Sequence, residues 1–256
     1  MPGSVRVLYC HCTHADILPK AVKEEVLRRL CASGVAVEAV ADLCELASLR
    51  DPRLKEIAAA ESVRIAACYP RAVRSLFAYA GAPLPESAEV LNMRTGDAAA
   101  IAERLLAGAA ASTTPRDTKP LVESLEAKKP GQWSPWFPAI DASRCKNCRQ
   151  CLNFCLFGVY GLSEAEKVEV QRPANCKTNC PACARVCPEV AIIFAKYKGG
   201  VIAGDEVTEE TLKGEQVRVD PAVLRKGGLA ALRQRGQAAA ERLAKEQPEQ
   251  KHGNQD

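Results

Sequence analysis

The first 110 residues alternate between short apolar runs and segments with helical spacing. Apolar runs of strand length occupy residues 5–9, 35–40 and 63–67, and a shorter one lies at Val90-Leu91. Between and after these runs, apolar positions recur three or four residues apart, which predicts amphipathic helices. The helical segments are residues 15–31, 46–60, 72–80 and 97–110. Strands that alternate with helices are typical of a parallel sheet, so we predict an α/β domain over residues 1–111, built from βαβ units.

The pattern changes after this domain. Residues 112–139 contain five prolines and continue neither a helix nor a strand, so we predict a linker. Its aromatic residues Trp133, Trp136 and Phe137 are expected to pack the linker onto the next module. Residues 140–198 are rich in cysteine. The remaining residues, 199–256, are expected to form a tail that is helical between Val223 and Lys245 and disordered at its polar end.

Composition excludes several classes of protein. Apolar residues make up 47% and charged residues 26% of the chain, as in ordinary soluble globular proteins. The net charge of +4 is modest for 256 residues, and no basic stripe interleaves with aromatic residues, so we expect no nucleic-acid binding. No run approaches the roughly 18 consecutive apolar residues of a membrane span. The first residues lack the pattern of a signal peptide, so we predict a cytoplasmic protein.

The count of thirteen cysteines is unusual for such a chain. In a small secreted protein it would indicate a disulfide framework. Here the number is odd, no export signal is visible, and the spacings are those of metal ligation. We therefore expect most of these cysteines to bind metal.

Eight of the cysteines form two motifs. The first is Cys145-x2-Cys148-x2-Cys151-x3-Cys155, and the second is Cys176-x3-Cys180-x2-Cys183-x3-Cys187-Pro188. They resemble the motifs of bacterial two-cluster ferredoxins, in which the fourth cysteine of a run ligates the other cluster. Three closely spaced cysteines wrap a loop around one cubane, whereas the fourth lies on the following helix and faces its neighbour. A zinc site needs only four ligands and would not require this crossed spacing.

This crossed arrangement assigns the ligands of two [4Fe–4S] clusters. One cluster is expected on Cys145, Cys148, Cys151 and Cys187, and the other on Cys155, Cys176, Cys180 and Cys183. The segments around residues 157–160 and 187–192 also resemble two-cluster ferredoxins, which implies an α+β ferredoxin-like module over residues 140–198. Two departures concern the second cluster: Leu156 stands where the family has proline, and the second motif opens with three intervening residues. Val168-Glu169-Val170 predicts a small hairpin between the motifs.

Four further cysteines follow the predicted strands of the α/β domain. Cys10 and Cys12 follow the first strand, Cys44 the second and Cys68 the third. Since the carboxyl ends of parallel strands open onto one edge of a sheet, these thiols can converge and hold a third cluster. The alternatives are reduced structural thiols, a degenerate site, a zinc site or a redox-active dithiol.

We do not expect Cys31, His11 or His14 to be ligands of this third cluster. Cys31, on the first helix, is expected to be a buried apolar residue. His11 and His14 are expected to support the site or lie at the surface rather than to act as ligands.

The α/β domain also resembles a known family. Residues 7–12, residues 63–71 and Asn92-Met93-Arg94 are similar to the N-terminal domain of the flavin-containing subunit of heterodisulfide reductase, over about residues 5–95. In that family the domain precedes a flavin-binding domain and is associated with a further iron–sulfur cluster. This chain has no Gly-x-Gly-x-x-Gly run, so we expect neither flavin nor nucleotide.

These observations favour an iron–sulfur electron-transfer protein that exchanges single electrons with redox partner proteins. The alternative is an electron-wire subunit of a complex related to heterodisulfide reductase. A thiol–disulfide enzyme is the third hypothesis, but no general base, nucleotide loop or flavin site is visible, and we predict no catalytic residue. Basic residues flank the two motifs and form either a solvated face or a docking patch for an acidic partner. They are Arg144, Lys146, Arg149, Lys177, Arg185, Lys196 and Lys198.

Overall fold

A parallel sheet organises the first part of the chain. The computed structural model describes residues 5–111, 113–127 and 134–214. Four strands pair in the order β2-β1-β3-β4, and every pairing is parallel. This confirms the predicted α/β architecture. The strands are β1 (Val5–Cys10), β2 (Val37–Val40), β3 (Ser62–Ala67) and β4 (Glu89–Asn92).

Five helices connect and flank these strands. The single helix predicted over residues 46–60 is wrong, because two short helices replace it. Arg50 between them has a φ of +50°, outside the helical region, and Pro52 disfavours helical backbone in the residue before it. The helices are α1 (Lys20–Ala32), α2 (Leu43–Ser48), α3 (Arg53–Ala58), α4 (Pro70–Tyr79) and α5 (Ala98–Leu106).

The predicted linker contains a helix that sequence analysis missed. α6 (Lys119–Glu126) carries Pro120 in its first turn, where a proline is tolerated because the N–H groups have no partner within the helix. Leu125 is buried, and its carbonyl accepts a hydrogen bond of 2.8 Å from the Thr13 hydroxyl. α6 therefore lies beside the loop that follows β1.

Two small antiparallel sheets and short helices form the cysteine-rich module. β5 (Ala139–Ile140) pairs with β8 (Ile192–Ile193), and β6 (Tyr160–Leu162) pairs with β7 (Val168–Val170), which confirms the predicted hairpin. The helices of the module are α7 (Gln150–Phe154) and α8 (Ala182–Arg185), with a 3₁₀ turn at Pro173–Asn175. Two further helices, α9 (Gly200–Ala203) and α10 (Glu209–Gly214), lie in the first part of the predicted tail. Trp133, the predicted helix at residues 223–245 and the predicted disordered end lie outside the described residues.

No helix in the described part of the chain combines the length and the apolar character that a bilayer crossing requires.

The module packs directly against the α/β domain. Arg71 on α4 donates to the Asp141 carboxylate at 2.7 Å and to the carbonyls of Val201 and Asp205 at 3.0 and 2.9 Å, and it also bonds the Val190 carbonyl. These contacts join α4 to both ends of the module, at Asp141 and Val190, and to the residues in and after α9.

Aromatic rings continue this interface. Trp136 stacks on Phe194 of the module, with ring centroids 5.2 Å apart, as its predicted packing role requires. Phe137 instead contacts Tyr79 at the end of α4, again at 5.2 Å. One continuous apolar core therefore runs through both parts of the chain.

A glycine at this interface offers a test of the packing. Gly204 has a φ of +102°, and an added Cβ would lie 2.5 Å from the Cβ of Ala72 and 2.8 Å from its backbone nitrogen. We expect Gly204→Ala to lower the free energy of unfolding by at least about 3 kcal/mol, since backbone strain and a steric clash combine. Gly81 has a φ of +74° with no atom within 4 Å, so Gly81→Ala should cost only about 1 kcal/mol. Urea unfolding measures both, and equal losses would show that the close approach to α4 is unimportant.

Candidate iron–sulfur sites

All thirteen cysteines lie in the described part of the chain, and none forms a disulfide. Twelve of them are candidate ligands, which we group by the expected clusters. Site A comprises Cys145, Cys148, Cys151 and Cys187. Site B comprises Cys155, Cys176, Cys180 and Cys183. Site C comprises Cys10, Cys12, Cys44 and Cys68.

The loop of site A is shaped by backbone in the left-handed region. Asn147 and Arg149, on either side of Cys148, have φ values of +54° and +61°. Asparagine adopts this conformation more readily than most residues. The Asn147 side chain also fastens the loop to the hairpin, because it accepts from the Val168 N–H at 2.8 Å and donates to the Glu166 carbonyl at 2.9 Å. These two hydrogen bonds connect the loop of site A to the segment between β6 and β7 and to the start of β7.

Cysteines of both motifs meet at site A. Burial raises the pKa of Cys151 to about 12, and the neighbouring groups Cys187, Cys145 and Cys148 raise it as well. Cys187 is buried and its sulfur accepts a hydrogen bond of 3.3 Å from the Ala191 N–H. The structure therefore brings Cys187, the fourth cysteine of the second motif, within electrostatic reach of Cys148 and Cys151 of the first motif.

Site B is a cavity. All four of its cysteines line a space of about 260 Å³, several times the roughly 30 Å³ that one water occupies in the liquid. Cys155 belongs to the first motif and the other three to the second, as the crossed assignment expects. Asn179, with a φ of +61°, turns the chain immediately before Cys180. The remaining lining residues are Pro138, Phe154, Leu156, Phe157, Val159, Tyr160, Lys177 and Ala182.

Site C lies at the carboxyl edge of the parallel sheet. Cys10 ends β1, Cys12 follows it with a φ of +54°, Cys44 is in the first turn of α2, and Cys68 follows β3. All four are buried. Burial raises the pKa of each thiol, and the thiols also act on one another: Cys12 and Cys68 each raise the pKa of Cys10 and of Cys44. The four thiols therefore share one buried region.

Two cations from different parts of the chain face site C. Lys196, which follows β8 in the module, forms a buried ion pair with Asp42, and its charge lowers the pKa of Cys12, Cys44 and Cys68 against the effect of burial. Arg94, in the loop after β4, lowers the pKa of Cys68, and its buried Nε has no hydrogen-bond partner. The Asp42 carboxylate balances Lys196 and itself raises the pKa of all four thiols, so Arg94, with its unpaired Nε, is the cation that suits a negatively charged occupant. Sequence analysis assigned Lys196 only to a flanking basic surface, since nothing local in the sequence indicates its burial.

The two histidines near site C lie within hydrogen-bond distance of groups other than its four cysteines. The ring of His11 is buried, with Nδ1 3.1 Å from the Tyr9 hydroxyl and Nε2 3.0 Å from a Glu126 carboxylate oxygen on α6. Nε2 of His14 lies 3.4 Å from Glu45. Since both ring nitrogens of His11 have partners, His11 supports the loop and ties α6 to it. Cys31 is buried on α1, as expected.

The spacing of the candidate ligands can be compared with what a single metal ion and a [4Fe–4S] cubane require. Among the residues that the structure describes, no three His, Cys, Asp or Glu side chains are gathered closely enough to hold a single metal ion. A zinc ion keeps its sulfur ligands about 2.3 Å from the metal, whereas a cubane places four irons between its thiolates, so its ligands lie farther apart. The four cysteines that line the cavity at site B are the donor type that iron–sulfur clusters use.

Comparison with known proteins adds no relative: no family model, no curated protein and no solved structure matches this chain.

Proposed function

We propose that this protein is a one-electron carrier that holds [4Fe–4S] clusters at sites A and B. The observation that carries the proposal is the site B cavity, which four cysteines from the two crossed motifs line together. Bound cubanes supply one-electron chemistry, at potentials that depend on hydrogen bonding and solvent exposure. No substrate pocket is part of this proposal, and the protein is not expected to turn over a substrate.

The chain's own residues hold the clusters and control access to them. Cys151, Cys176, Cys183 and Cys187 are buried, so the protein shields much of each site from water. The thiols must lose their protons when they bind iron, and their raised pKa values mean that this loss accompanies binding. A reducing compartment keeps the thiols available, which is why we place the protein in the cytoplasm.

Site C extends the proposal to a third [4Fe–4S] cluster. Its four buried thiols face Arg94 and the ion pair of Lys196 with Asp42, and the charge of Arg94 offsets part of the negative charge of four thiolates. Arg94 also donates to the carbonyls of Ala195 and Tyr197, at 2.7 and 2.8 Å. The α/β domain then serves as a further step in the electron path and not only as a docking platform.

Redox partner proteins are expected to approach at site B. Leu156 and Phe157 are exposed by 54% and 41%, and both line the mouth of the cavity together with Lys177. Exposed apolar side chains with a positive charge beside them suit a transient contact with an acidic redox protein.

The crossed assignment is tested by serine substitutions. Cys155→Ser should abolish the same cluster signal as Cys180→Ser, although Cys155 belongs to the first motif, because both residues line site B. Cys148→Ser should abolish the other signal. The measurement is electron paramagnetic resonance of the anaerobically reconstituted, reduced chain, together with iron and sulfide content, for which two cubanes require about 8 irons.

One result would contradict the crossed ligand assignment, and another would contradict the proposed function. If Cys155→Ser had the spectrum of Cys148→Ser, the ligands would not be crossed. If the wild-type chain bound no iron and sulfide, the proposed function itself would be wrong.

A further inference from the structure

Tyr160 places an unpaired hydroxyl group inside site B. It is the first residue of β6, its side chain lines the cavity, and it is only 4% exposed. Within the described residues its Oη is one of three buried side-chain polar atoms without a hydrogen-bond partner. After burial, the Cys183 thiol has the largest effect on the pKa of the Tyr160 hydroxyl, which it raises, and the hydroxyl in turn lowers the pKa of Cys183, which lines the same cavity.

A buried hydroxyl without a partner is costly. Leaving such a group unsatisfied costs about 1–3 kcal/mol, whereas phenylalanine would fill the same space without that cost. The backbone holds the ring in place, because β6 pairs Tyr160 with Val170 of β7. Because the side chain is only 4% exposed and lines the cavity, the hydroxyl is kept from solvent, and the sulfur atoms of site B are the acceptors that the cavity offers.

The cavity offers sulfur as the acceptor. A phenol is protonated at neutral pH and can donate one hydrogen bond. Besides Cys183, the hydroxyl lies within electrostatic reach of Cys155 of site B and Cys151 of site A. A thiolate that ligates iron is a better acceptor than a neutral thiol, because it carries negative charge.

A hydrogen bond to a ligand sulfur changes a reduction potential. Reduction adds one electron and therefore negative charge to the cluster, and no proton or bond is transferred. A donor that points at the sulfur stabilises the more negative state, so it raises the reduction potential.

We propose that the Tyr160 hydroxyl donates a hydrogen bond to the Cys183 sulfur of loaded site B, raises the potential of that site and thereby draws electrons from site A towards site B. This inference rests on the proposed function and adds a residue that sets the direction of electron flow within the module.

The test is Tyr160→Phe in the full chain, reconstituted anaerobically. We expect full iron content and a lower potential for site B, so that the distribution of one electron between the two sites moves about tenfold towards site A. For a one-electron couple this corresponds to about 59 mV. Potentiometric titration followed by electron paramagnetic resonance measures the shift, with the signals assigned from Cys148→Ser and Cys180→Ser. Resonance Raman should show stronger iron–thiolate bonds at site B only.

Tyr79→Phe is the matched control, since it removes a hydroxyl from a ring that packs on Phe137 and lines none of the three sites. It should leave both potentials unchanged. The inference is overturned if Tyr160→Phe leaves the potential of site B unchanged, if site A shifts instead, or if the variant binds less iron, which would make the role structural. Absence of clusters from the wild-type chain would instead overturn the proposed function.

Discussion

A chain in which Cys44 and Cys68 are both replaced by serine is expected to bind about 8 irons after anaerobic reconstitution, compared with about 12 in the wild type. The two residues lie at the start of α2 and just after β3, so the substitutions remove half of the thiols of site C. Sites A and B share no ligand with site C, and their spectra should not change. Iron and sulfide content and electron paramagnetic resonance measure the two effects.

Cys31→Ser is the control for this experiment. Cys31 is as buried as the site C cysteines but lies on α1 and is not one of the four converging thiols, so its replacement should leave about 12 irons. Site C would be refuted as a cluster site if the wild type bound only about 8 irons, or if the double variant kept about 12. In either case the alternatives for these thiols would apply: reduced structural residues, a degenerate site, a zinc site or a redox-active dithiol.

Arg71→Met is expected to lower the free energy of unfolding of the loaded protein by about 3–5 kcal/mol. Arg71 is 15% exposed and its partner Asp141 is 10% exposed, so the ion pair is largely shielded from water. Removing the guanidinium leaves that carboxylate and the carbonyls of Val190, Val201 and Asp205 without this donor. Anaerobic urea unfolding followed by far-ultraviolet circular dichroism measures the loss.

Arg28→Met provides a comparison on the surface. Arg28 pairs with Glu25 at 2.8 Å on α1, but it is 60% exposed. Surface ion pairs contribute at most about 1 kcal/mol, because solvent screens them. If Arg71→Met cost no more than Arg28→Met, the contacts of α4 would not be what holds the module in place.

The docking of the module matters for the chemistry as well as for stability. Lys196 comes from the module but is buried beside the thiols of the α/β domain, where it pairs with Asp42. Asp42 also caps α2 by accepting from the Glu45 N–H at 3.1 Å, and Cys44 lies in that first turn. A displaced module would therefore leave site C without one of its cations and leave a buried carboxylate unpaired.

Local patterns in the sequence determined much of this protein. Apolar runs alternating with helical segments predicted the parallel sheet, because such periodicity reflects which face of each element is buried. The position of Cys10, Cys44 and Cys68 after successive strands predicted their convergence, because the carboxyl ends of parallel strands lie at one edge of the sheet. The motif spacings and the hairpin that contains Val168–Val170 could also be predicted from the sequence, since they depend on residues close together in the chain.

Contacts between distant residues were decided only by the tertiary structure. Nothing near Lys196 in the sequence indicates Asp42, and nothing near His11 indicates Glu126 on a helix that replaced part of the expected linker. The unpaired hydroxyl of Tyr160 likewise became visible only once the cavity around it was known. Burial and pairing of polar groups depend on how whole elements pack, and many arrangements of those elements satisfy the same local pattern.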